Sequence, residues 1–81
     1  MDAQAAFDSH VRSKLESSFG KAVAMLILAT ASNSSGTTTM GLQRDGYMKL
    51  CEAIARDQRV VDMWGASGAA DTLSQWKTVG S

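Results

Sequence analysis

Read from the amino terminus, apolar side chains first recur at every fourth position, at Phe7, Val11, Leu15 and Phe19. That spacing falls on one helical face, and Ala22 or Val23, Leu26 and Thr30 carry it onward with some drift. Ala, Gln, Leu, Met, Lys and Glu dominate and β-branched residues are few, so residues 2–32 are expected to be helical. The second half of this span has a different character. Residues 22–31 are apolar on every side, and no charged residue lies between Lys21 and Arg44, which calls for burial in a core or a subunit interface. Gly20 separates the two halves. It either ends a first helix in a left-handed conformation or is a small residue tolerated where another helix crosses. Strong helix formers resume at once with Lys21, and the expectation is one long helix, straight or kinked at that point.

The next stretch, 33–41, is polar and rich in Gly, Ser and Thr, and is the one clear loop. Its three Thr residues are candidates to cap the following helix or to stay mobile. Over 42–56 the pattern sharpens, with Tyr47, Leu50, Cys51 and Ile54 on one face of a helix. Asp57 is a good N-cap for a short helix over 58–64 that buries Val60, Val61 and Trp64, and Gly65 stops it. Ser67 can cap a last helix over 68–79, whose inward stripe is Ala69 or Ala70, Leu73 and Trp76. Alternation of period two is absent throughout. The fold class is therefore all-α: a small helical bundle with one long N-terminal helix and three shorter ones, forming a single domain over 1–81.

A helix over 2–32 would run roughly 45 Å at about 1.5 Å per residue. A compact chain of 81 residues has a radius of gyration of only about 12 Å. Either the helix breaks at Gly20 or a second subunit packs along it. A homodimer is the expectation, with Phe7, Val11, Leu15 and Phe19 as candidate interface residues and Trp64 as a further anchor.

Composition narrows the function classes. Eight basic and eight acidic side chains cancel, and they alternate in sign along the chain, unlike the basic footprint of a nucleic-acid or membrane-surface binder. The apolar stretch, at about ten residues, is shorter than the roughly 18 that a membrane span needs, and it lies too far into the chain for a leader peptide. With a single Cys and no leader pattern, a cytoplasmic protein is expected. His10 lacks a second His or a nearby nucleophile motif, and a surface position is expected for it. Cys51, on an apolar helix face, is expected to pack as a small hydrophobe. Met25 and Met63 are assigned to the core, and Met48 falls outside the main face of its helix.

No catalytic, cofactor-binding or metal-binding constellation emerges, so the expectation is a non-enzymatic protein–protein interaction or oligomerisation module, a homodimeric adaptor or regulator. Two alternatives come from other classes. One is a helical DNA-binding transcriptional regulator, for which the short helices around Gly65 suggest a helix-turn-helix. However, Asp71 and Ser74 stand where that motif needs apolar residues, and Lys77 is the only base on the last helix. The other is a structural or assembly domain of a larger protein, which the abundance of small residues would suit.

Overall fold

The computed structural model describes residues 2–80. The first helix, α1, covers residues 3–19 in three continuous pieces: an α-helical turn Ala3–Ala6, a wider π-helical turn Phe7–Val11, and an α-helical segment Arg12–Phe19. It is followed by α2 (Lys21–Ser35), α3 (Arg44–Arg56) and α4 (Gln58–Val79). Among the described residues there is no strand, and no helix is long and apolar enough to cross a membrane. The fold is all-α, a small helical bundle.

The expected long helix is broken at Gly20. Its φ of 82° and ψ of 163° lie in a region that is essentially restricted to glycine, and this conformation outweighs the helix-forming residues on either side. The Gly20 N–H still donates to the Glu16 carbonyl at 2.8 Å, and the Gly20 carbonyl accepts from Ala24 N at 3.0 Å, so the residue ends one helix and starts the next. The Arg12–Phe19 segment of α1 consequently packs against α2. The chain has a radius of gyration of 11.1 Å and extents of 28 × 22 × 20 Å, and the break removes the length conflict within a single chain.

The π-helical turn explains how residues spaced by four can share one face. Four residues overshoot an α-helical turn of about 3.6, so Phe7, Val11 and Leu15 would drift around a regular helix. A turn closed by the Arg12 N–H on the Phe7 carbonyl takes up more residues per turn and offsets that drift. Phe7, Val11 and Leu15 are all fully buried. Beyond the π-helical turn the drift resumes, and Phe19 is only half-buried.

The second half follows the sequence pattern closely. Tyr47, Leu50, Cys51 and Ile54 of α3 are all fully buried, against Ile27 of α2 and Val60 of α4 in one core. Tyr47 also donates its hydroxyl proton to the Trp76 carbonyl at 2.6 Å in the interior. Asp57 caps α4, accepting from Arg59 N at 2.8 Å. The expected stop at Gly65 is present: its non-helical backbone (φ 78°, ψ 159°) divides α4 into two helical segments at a kink, with nearly the geometry of Gly20. The helix resumes directly after Gly65, and α4 is capped at Asp57. Likewise none of the loop Thr residues caps α3, whose N-cap is Gln43 without a side-chain bond. The loop is tied down instead by Gln4, which donates to the Thr39 carbonyl and accepts from Leu42 N.

Candidate interaction surface

The helix α2 has two apolar faces, and the chain covers only one of them. Ala24, Ile27, Leu28 and Ala31 are buried against the rest of the bundle. On the opposite side Ala22, Met25, Leu26 and Ala29 are exposed, spaced as i, i+3, i+4 and i+7. Met25 is 69% exposed and Leu26 57%. Burying a Leu or Met side chain contributes about 1.5–3 kcal/mol, most of which these two side chains forgo in the isolated chain. The expectation that residues 22–31 are buried as a whole, with Met25 in the core, is thus corrected: a helix in a four-helix bundle of this size has neighbours on one side only.

Polar groups border the exposed stripe. On one flank a groove of about 460 Å³ runs between α1 and α2, lined by Arg12, Glu16 and Lys21 together with Ala24, Met25 and Leu28. On the other flank Arg59 Nη2 donates to the Thr30 hydroxyl at 3.1 Å. Arg59 also grips Asp57 through Nε at 3.0 Å and Nη2 at 2.7 Å. Hydrogen bonding from Arg59 is the main cause that holds the Asp57 carboxyl below its usual range. An apolar strip with a charged border has the layout of a protein-binding face.

The residues expected at an interface are placed differently. Phe7, Val11 and Leu15 lie in the interior of a single chain, where they offer no side-chain surface to a partner. Phe19 and Trp64 are half-buried and touch each other, with ring centroids 5.9 Å apart. Trp64 is further held edge-on to Trp76 at 6.0 Å, by a hydrogen bond from its Nε1 to Ser18 Oγ at 3.2 Å, and by Lys14 Nζ 5.1 Å from its ring centroid. Its ring and its indole N–H are engaged within the chain. Met63, assigned to the core, is 54% exposed, whereas Met48 packs against the core as a half-buried residue. The sequence pattern sets Ala22 or Val23, Leu26 and Thr30 on the inward face and Met25 in the core, whereas Ala22, Leu26, Thr30 and Met25 are exposed. The available signal was the all-round apolar character of 22–31, too much for one chain to cover.

Other candidate chemistry is sparse. His10 is exposed at the edge of a polar groove with Ser13, Lys14 and Gln75. Cys51 is fully buried, and burial pushes its thiol up to about 12, against smaller opposing effects of the Tyr47 hydroxyl and the Lys77 charge. Such a thiol is inert at neutral pH. Lys77, the base of α4 beyond Gly65, is paired with Glu52 at 3.0 Å. Among the described residues no group of three or more His, Cys, Asp or Glu side chains could hold a metal ion. No protein-family model matches this chain, nor does any curated protein or solved structure.

Proposed function

We propose that this chain is a non-enzymatic oligomerisation module, a homodimeric adaptor or regulator that associates through the outer face of α2. The observation that carries this reading is the exposure of Met25 and Leu26 at the centre of an apolar stripe, on a helix whose other face already completes the core. Large apolar side chains clustered on a helix face and bordered by charge favour association with another protein surface. The buried, unpaired thiol of Cys51 suits a reducing compartment such as the cytoplasm. DNA binding draws less support, because Lys77 is already engaged by Glu52 and phosphate contacts depend on available cations.

Light scattering over a concentration series tests the proposal. A mass rising from one chain to two is expected, with Leu26→Asp remaining at one. A wild-type mass of one chain at every concentration would refute the homodimer.

A further inference from the structure

The exposed stripe of α2 reads the same in both directions: small, large, large, small at Ala22, Met25, Leu26 and Ala29. Its midpoint falls between Met25 and Leu26. An isologous contact presents one patch to itself across a two-fold axis. When two helices pair antiparallel about an axis through that midpoint, each side chain keeps its side of the stripe, so Met25 of one copy meets Met25 of the other, Leu26 meets Leu26, and Ala22 meets Ala29. Large side chains then fill the centre, and the alanines at both ends allow the helices to approach. A parallel pairing would set Ala22 beside its own copy and lose the cross-match.

Charge at the border points the same way. The chain turns at Gly20 so that the Arg12–Phe19 segment packs against α2, and Arg12 and Glu16 line one groove with Lys21, Ala24, Met25, Leu28 and Ser32 of α2. Glu16 therefore lies toward the start of α2 and Arg12 toward its later turns. An axis perpendicular to α2 in the plane of contact keeps the two α1 helices on the same side and reverses their direction. Arg12 of one copy then faces Glu16 of the other, twice per dimer. Arg12 is available for this, with a side chain 42% exposed, resting 5.1 Å from the Phe7 ring centroid and only loosely paired with Asp8 at 3.9 Å.

We infer that the occupant of the exposed α2 face is a second copy of this chain, paired antiparallel about a two-fold axis between Met25 and Leu26, with Arg12 and Glu16 opposed across the border. This rests on the homodimer proposed above and adds its geometry. A stable interface removes about 800 Å² per partner, so the proposed dimer has to bury part of the α1 border as well as the four stripe residues.

Single-cysteine variants in the full chain distinguish the geometries, because native Cys51 is buried and its thiol is held in the neutral form. Under mild oxidation at pH 8, Met25→Cys and Leu26→Cys are each expected to convert largely to covalent dimer. In Ala22→Cys alone, and in Ala29→Cys alone, the symmetry-related positions lie seven residues apart along the axis. That is about 10 Å, beyond the roughly 4.4–6.8 Å between Cα atoms that a disulfide spans, so neither variant is expected to cross-link. A mixture of the two should yield the mixed dimer. The Arg12→Glu variant should weaken the dimer at least tenfold, and adding Glu16→Arg should restore most of that loss. A dimer by mass in which Ala22→Cys couples to itself overturns the antiparallel register while leaving the homodimer intact. A wild-type chain that stays at one-chain mass overturns both, and leaves the face to a different protein.

Discussion

The two faces of α2 are built from the same kinds of residue and differ only in what the chain places against them. Ile27 and Leu28 are buried, whereas Leu26 and Met25, next to them in sequence, stand in solvent. Burial is therefore decided by the position of each residue around the helix relative to α1 and α3. A charge introduced on each face should show the difference most sharply. Ile27→Asp puts a carboxylate without a partner at a fully buried position, where the penalty amounts to several kcal/mol. Stabilities of about 5–15 kcal/mol are usual for single domains, with a small one toward the lower end. Loss of the cooperative thermal transition in circular dichroism is expected, and a retained transition near the wild-type midpoint would contradict the inner face as core.

Next in size is the break that sets up the two faces. Without the turn at Gly20, the Arg12–Phe19 segment could not pack against α2, and a different side of α2 would be covered. A Cβ added at Gly20 meets nothing within 4 Å, so Gly20→Ala isolates the backbone cost of φ 82°. That cost is about 1–3 kcal/mol, measurable from the shift in urea midpoint. Gly65, with almost the same angles and equal free space, should respond by a similar amount. A loss below about 0.3 kcal/mol at Gly20, on the same scale, would mean that the packing of α1 on α2 does not depend on this conformation.

The core beneath the inner face carries a pH signature. Burial raises the Cys51 thiol from 9.0 to about 12 and pushes the Tyr47 hydroxyl upward from 10.0 as well. For acids whose folded pKa is raised, the stability associated with the neutral form is complete below the unfolded pKa and is lost as pH climbs toward the folded one. Stability should hold to about pH 9 and then decline toward pH 12. Replacing Cys51 by Ala should flatten the first part of that decline, at the expense of a small cavity. Asp57 behaves oppositely. Its carboxyl is held below the usual 3.8, so its contribution is present above about pH 4 and disappears as pH falls through the lower folded value. Asp57→Ala, which removes the cap of α4, should cost about 1 kcal/mol at pH 7 and less at low pH.

The contrast between the faces also shows what was legible in the sequence. The pattern in α3 could be read directly because polar residues separate Tyr47, Leu50, Cys51 and Ile54, and all four are buried. In 22–31 that contrast is missing, and an apolar residue carries no mark of which side a neighbour occupies. The break at Gly20 was ambiguous for a related reason, since flanking propensities favour continuation and only the packing of α1 on α2 selects the turn. The π-helical turn was hidden too. The four-residue spacing of Phe7, Val11 and Leu15 was plain, but its conflict with a 3.6-residue turn was resolved by the core around them. The same spacing suggested an interface, because an apolar face looks alike whether its own chain or another covers it.

The smallest effect on the isolated chain is expected one residue from the largest. Leu26→Asp introduces the same carboxylate as Ile27→Asp, at a site 57% exposed. Water can solvate the charge there, and surface substitutions usually lie within about 0.5 kcal/mol. At protein concentrations too low for association, its thermal midpoint should match that of the wild type within about 2–4 °C, what such a difference allows in a small domain. At higher concentration the two should separate. A dimer stabilises the folded wild type by mass action, so its midpoint rises with concentration, while that of Leu26→Asp stays fixed. A gap that widens with concentration is the signature of a face completed by another chain. A large gap already present at the lowest concentration would place Leu26 in the core instead, and a gap absent at all concentrations would leave the outer face of α2 without a role in self-association.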